Sequence, residues 1–285
     1  MGIIKIIINK ASLRIIISLL PFLMTAGCQK VINVDLNNAA PRIVIEGLIN
    51  DRRGPYSITL TKSGSYFNQP ELPSVSGAEV TITDNTGTTD TLKETAPGIY
   101  LTSRTKGIPG RTYTLKVLSE NIEYKGTSTM LNHVDIDSLT LVKSEFQRID
   151  LGGNNHNRIH YEIHCFFRDP PQKNFYRFKV FKNDSINTQS YRLYDDQYTN
   201  GEETELRVSG AEAGSTYRIE LQSIDQPTYG YYRTLSDLIF SNPLFGSTPA
   251  NPNTNLSNGS LGYFGAAAIS SKTIVITDSL INSVK

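Results

Sequence analysis

From residue 42 to about 130, apolar and polar positions alternate in short runs separated by turn residues. Val80 and Ile82 share one parity, as do Tyr113, Leu115 and Val117, while Thr81, Thr112, Thr114 and Lys116 occupy the other. Successive side chains of an extended chain point to opposite faces, so this is the pattern of strands with one buried face. Strands are predicted over 42–49, 56–62, 78–84, 89–93, 98–103, 112–118 and 122–127. Asp84-Asn85-Thr86-Gly87, Ala96-Pro97-Gly98 and Ile108-Pro109-Gly110-Arg111 punctuate them with residues that restrict φ or accept positive φ. Seven strands at this spacing predict a two-sheet sandwich.

A junction is expected over 131–137, and a second strand-rich block follows it. Strands are predicted over 138–144 and 158–167, with a polar loop over 147–157. Asp169-Pro170-Pro171 ends the second of these strands, and 174–182 is expected to be its hairpin partner. Further strands are predicted over 191–194, 203–208 and 215–224. One helix is predicted, over 229–240, where Tyr232, Leu235, Leu238 and Ile239 have helical spacing. After the Pro-rich piece around Pro243, Pro249 and Pro252, residues 262–269 and 272–277 read as a terminal hairpin. The expected fold is all-β, with two tandem immunoglobulin-like β-sandwiches over 42–131 and 132–245, and with 246–285 packed on the second.

Ahead of the strands the pattern changes. Lys5, Lys10 and Arg14 precede an apolar run from Ile15 to Met24, broken by Ser18 and Pro21, and small residues Thr25, Ala26 and Gly27 precede Cys28. A charged start, a short apolar core and small residues before a cut describe a secretory signal peptide over 1–27. A transmembrane anchor is the alternative, but the run is shorter than the ~20 residues a span requires. Residues 28–41 have little to bury and read as a tether.

Composition narrows the partners. Of 28 Lys+Arg and 27 Asp+Glu, the leader holds three cations and no acids, so the remainder carries 25 against 27, a net charge of −2. There is no basic surplus to suggest nucleic acid as a partner. Tyr (15) and Phe (11) are plentiful and Trp is absent, which suits strands. With Cys28 used for lipid, Cys165 has no partner and no internal disulfide is expected.

Several stretches resemble known families. Ala26-Gly27-Cys28 resembles the lipobox of bacterial lipoproteins, which implies acylation of Cys28; Thr25 stands where Leu is commoner. The order Val75-Ser76-Gly77-Ala78-Glu79-Val80, then Gly98-Ile99-Tyr100, then Gly110-Arg111-Thr112-Tyr113 resembles transthyretin-like and immunoglobulin-like modules of exported bacterial proteins. Taken with the motifs at 43–49, 60–66 and 252–266, nearly the whole mature chain is similar to lipoproteins grouped as domain of unknown function 4249. That resemblance implies an outer-membrane lipoprotein, on the periplasmic or cell-surface side, working beside a TonB-dependent receptor as an accessory, ligand-capture or structural partner.

Candidate chemistry is sparse. His156, His160 and His164 recur every four residues with Glu162 between the last two; on a strand His160, Glu162 and His164 share a face and could offer ligands to a metal. The exposed face of a half-buried strand is the plainer explanation, and no metal or cofactor is assigned. Asp195-Asp196 and Glu202-Glu203 read as solvated turns, with a Ca²⁺ loop as the minority view. No nucleophile elbow, metalloprotease helix or phosphate loop is present, so no catalytic residue is assigned and a non-enzymatic role is expected. A surface hydrolase using carboxylates of the second block, or an adhesion-type module, is the alternative. Tyr229, Tyr231, Tyr232, Tyr263 and Phe264 are the candidate partner-binding group, since aromatics near Gly and Pro can present flat amphipathic surface.

Overall fold

The computed structural model describes residues 40–64, 72–149, 155–186, 192–197, 199–240 and 251–284. The leader, Cys28 and residues 241–250 lie outside them. The first block supplies β1 (Ile43–Asn50), β2 (Ser57–Lys62), β3 (Glu79–Asp84), β4 (Thr89–Thr91), β5 (Lys93–Ala96), β6 (Ile99–Leu101), β7 (Thr112–Ser119) and β8 (Ile122–Thr129). The second supplies β9 (Ile136–Ile149), β10 (Asn155–Arg168), β11 (Phe175–Lys182), β12 (Ser185–Ile186), β13 (Arg192–Asp195), β14 (Glu203–Ala211) and β15 (Thr216–Ile224). Helix α1 (Gln226–Phe240), strand β16 (Leu261–Val275) and the short helix α2 (Asp278–Ser283) complete the chain. Among the described residues no helix is long and apolar enough to cross a membrane.

The all-β reading holds, and the strands of both blocks meet in one sheet. Its order is β12-β11-β15-β16-β1-β2-β6-β5, with β13 paired to β11. Two smaller sheets, β4-β3-β7-β8 and β14-β10-β9, pack against it. The first core holds Ile45, Ile58, Leu60, Val80, Ile82, Leu115 and Val117. The second holds Ile163, Cys165, Phe167, Tyr176, Phe178, Ile219 and Leu221. Each side chain named is almost fully buried, and together they supply the apolar burial that drives both sandwiches.

Strand β16 joins the halves, and it corrects two expectations. The predicted terminal hairpin is one 15-residue strand. Its first half pairs in parallel with β1, from Val44 opposite Leu261 to Asn50 opposite Ala267. Its second half pairs antiparallel with β15, from Ile224 opposite Ala267 to Thr216 opposite Val275. The C-terminal segment therefore serves both blocks, not the second alone, and residues 40–285 form one compact unit. The physical reason is its parity: Phe264, Ala266 and Ala268 enter the first core, while Ile274, on the same face, reaches the second. Gly262 permits the parallel pairing. Its φ is +89°, and a Cβ there would lie 2.1 Å from the Ile45 carbonyl oxygen.

Two further expectations change. Strand β11 is not the hairpin partner of β10. The Asp169-Pro170-Pro171 turn carries the chain across the core, so β10 and β11 face one another from different sheets. Phe167 meets Tyr176 edge-on at 5.3 Å and Phe178 at 5.6 Å. The stretch 147–157, expected as a polar loop, is largely the extension of the β9–β10 ladder, pairing out to Ile149 opposite Asn155.

Candidate ligand cleft

The outer face of the long sheet, turned away from both cores, is built from the other parity of the same strands. On β1 it carries Glu46, Leu48 and Asn50, alternating with buried Ile45, Gly47 and Ile49. On β11 it carries Arg177 and Lys179, alternating with buried Tyr176, Phe178 and Val180. Tyr263 of β16 belongs to this face, with Phe264 on the opposite one.

Helix α1, expected over 229–240, lies over this face. Thr228, Tyr231, Tyr232 and Leu235 fall at i, i+3, i+4 and i+7, one side of a helix. Tyr231, Tyr232 and Leu235 join Phe175, Ile224, Ala267 and Ile269 in a third, smaller apolar cluster. Asp225 starts the helix. Its carboxylate accepts the Thr228 N–H at 3.1 Å, and its carbonyl accepts the Tyr229 N–H at 2.9 Å. Gly265 permits the close approach: a Cβ there would sit 3.1 Å from Thr228 and 2.9 Å from Leu48.

Between the helix and strands β1 and β11 is a cleft of about 520 Å³, lined on its floor by Glu46, Arg177, Lys179, Tyr231, Tyr232 and Tyr263. The three tyrosines form one assembly. Tyr231 and Tyr263 are stacked with centroids 4.4 Å apart, and Tyr232 lies 5.0 Å from Tyr263. The Arg177 guanidinium lies over the Tyr232 ring at 3.8 Å and donates to its hydroxyl at 2.7 Å. The Tyr232 hydroxyl donates to that of Tyr263, and Tyr231 donates to Glu46 at 3.2 Å. Burial pushes the Tyr232 and Tyr263 pKa values up, so both hydroxyls stay protonated. Burial pushes Lys179 down, and the neighbouring Arg177 charge adds to this.

The aromatic group named from the sequence is thus only partly brought together. Tyr231, Tyr232 and Tyr263 meet in the cleft. Tyr229 turns instead to Phe175, at a centroid distance of 4.9 Å. Phe264 is fully buried in the first core and offers nothing to a partner, because it has the opposite parity to Tyr263. Sequence reasoning missed Glu46, Arg177 and Lys179. Their signal was available: each is a charged residue at an outward position of a strand otherwise rich in buried Ile, Phe and Tyr.

The remaining candidates are accounted for by the fold. His160 Nε2 lies 3.4 Å from Glu162 Oε1, while His164 Nε2 lies 3.6 Å from Oε2, so the imidazoles flank different oxygens of one carboxylate. The His164 Nδ1 faces Glu205. Among the described residues no group of three or more His, Cys, Asp or Glu could hold a metal ion. Cys165 is fully buried, and burial pushes its thiol up to about 12, far from a nucleophilic thiolate. Asp196 departs from the solvated turn expected of it. It is buried and accepts the Asn174 N–H at 2.6 Å, which fixes the start of β11.

An all-β protein with two cores on one shared sheet, and a helix-covered polar cleft on that sheet's other face, is the class that fold and cleft define. The chain belongs to the family described as Domain of unknown function (DUF4249), whose model matches residues 29–273. None of the curated proteins compared with the chain matches it. Among solved structures it is similar to one titled "Structure of Yersinia pseudotuberculosis adhesin InvE", at 18% identity and a TM-score of 0.20. That match covers 64% of this chain and 55% of the adhesin chain, so it spans little more than half of that structure.

Proposed function

We propose that this protein is a non-enzymatic outer-membrane lipoprotein that captures a small polar ligand in the α1 cleft and works beside a TonB-dependent transporter. The cleft carries the reading. It combines a preformed aromatic assembly with two cations and a carboxylate, on a sheet held rigid by two cores. A few convergent polar groups on a rigid scaffold are how small-ligand sites are built. The leader and Ala26-Gly27-Cys28 support a lipid anchor, and the family match beginning at residue 29 directly follows Cys28. The transthyretin-like motifs of the first block fit a stiff spacer: Val80, Ile82, Tyr100 and Tyr113 all point into its core.

The test uses the full chain, tagged at its C-terminus and extracted from membranes in mild detergent. A TonB-dependent receptor is expected to co-purify, and native mass spectrometry is expected to find a small ligand that Tyr263→Phe weakens. Cys28→Ser is expected to leave the chain soluble or as an uncut precursor. Acyl chains contribute about 0.8 kcal/mol per buried CH₂, and stable attachment needs more than one chain. A Cys28→Ser chain that is normally processed and membrane-bound overturns the anchor. A wild-type chain that purifies without receptor and without ligand overturns the capture role.

A further inference from the structure

The cleft contains a cation whose one neighbouring carboxylate is shared with two arginines. Lys179 is half-buried on the outward parity of β11. Its cross-strand neighbour is Glu220. That carboxylate is already engaged by Arg52 at 3.1 Å and by Arg218. Among the described residues Lys179 makes no ion pair of its own. An ammonium that has lost part of its hydration and shares one carboxylate with two guanidinium groups is incompletely compensated. The lowered pKa of Lys179 reflects that desolvation. An anion entering the cleft would remove the deficit.

The groups around it narrow the anion. Glu46, on the opposite side, is exposed and uses one oxygen to accept from Tyr231. Asn50 spends its side-chain oxygen on the Arg52 N–H, leaving its amide NH₂. Ser57 adds a hydroxyl at the rim. A negative charge at the far end of the ligand would meet Glu46 unfavourably, so the anionic group belongs at the Lys179 end. A neutral sugar would leave Lys179 as it is. A peptide strand would add to an exposed sheet edge, whereas the cleft lies over a sheet face whose strands β1 and β11 are each paired on both sides. One carboxylate among several hydroxyls satisfies all of these groups.

Resting on the capture reading above, we infer that the cleft binds an acidic saccharide, with a sugar carboxylate on Lys179 and ring hydroxyls on Glu46, Asn50 and Ser57. The volume of about 520 Å³ falls within the range of small-ligand sites, about 300–1,000 Å³. Tyr263 and the Tyr232 hydroxyl form the floor beneath the sugar.

Isothermal titration calorimetry on the mature chain tests this, with trimers of one terminal uronate (galacturonate, mannuronate or glucuronate) and two neutral sugars, each beside its carboxyl-reduced neutral counterpart. At least one uronate trimer is expected to bind about tenfold or more tighter than its neutral form, as losing a hydrogen bond to a charged group implies. Lys179→Met is expected to remove that preference while Lys179→Arg retains it, with melting temperatures confirming that both variants fold. Equal binding of acidic and neutral trimers overturns the acidic preference and leaves ligand capture standing. A preference that survives in Lys179→Met overturns the role of Lys179. Binding of no trimer overturns the saccharide assignment; the capture role then stands or falls on the ligand found by native mass spectrometry of the extracted chain.

Discussion

The Ser128 hydroxyl donates to the Asp225 carboxylate at 2.8 Å, in a position buried from water. The same carboxylate oxygen accepts the Thr129 N–H at 2.9 Å, and its other oxygen caps α1 through Thr228. Ser128 in turn accepts the Ala266 N–H at 2.9 Å. One side chain therefore ties the last strand of the first block to the helix that covers the cleft and, through Ser128, to β16. The position of α1 is set by residues nearly a hundred positions upstream.

Asp225→Ala should uncouple these parts. It leaves the Ser128 hydroxyl, the Thr129 N–H and the helix start without their acceptor. A loss of about 2–4 kcal/mol is expected from charge-assisted hydrogen bonds and a lost cap. Asp225→Asn should cost less, since the amide oxygen can still accept. Urea denaturation reads both, and hydrogen exchange should show α1 opening before the strands. An unchanged midpoint for Asp225→Ala would remove the tie.

Tyr113 tests the first core. Its ring is buried, and its hydroxyl accepts the Ile108 N–H at 2.7 Å, holding the turn that precedes β7. Tyr113→Ala should destabilise the protein by about 3–5 kcal/mol, the range for losing a large buried aromatic. Tyr113→Phe should retain most of the stability, because only the hydroxyl is lost. If the alanine variant melts with the wild type, the ring is not part of the core.

Acid should release the 103–105 loop as pH falls toward about 2. Burial alone would raise the Asp90 pKa, but hydrogen bonds from the Arg104 N–H at 2.7 Å, from Ser103, and from Thr105 outweigh it and hold the carboxyl at about 2. A carboxyl whose folded pKa lies below its unfolded value of about 3.9 stabilises the protein fully above that value. The contribution is lost as pH falls from there through about 2. Acid titration followed by circular dichroism should therefore show stability declining between about pH 4 and pH 2, in line with the linkage slope. Asp90→Asn should be less stable at neutral pH and should flatten that decline. A variant with the wild-type pH profile would assign the decline to other carboxylates.

The amino-acid order by itself determined most of the strands, their buried faces and helix α1. Alternation such as Tyr113, Leu115, Val117 is local, and a strand exposes its parity whatever it pairs with. The same holds for Tyr232, Leu235 and Leu238, whose spacing predicted the helix, although Ile239 of the same set is exposed. Pairing was not legible. Strand β16 was read as a hairpin because its partners, β1 and β15, lie far away in the chain, and backbone hydrogen bonds carry no sequence label. The cleft needed the same information: Glu46, Lys179 and Tyr263 are ordinary outward residues on three separate strands. Only the shared sheet brings them together, because burying both apolar faces against it leaves the opposite parity of every strand on one common surface.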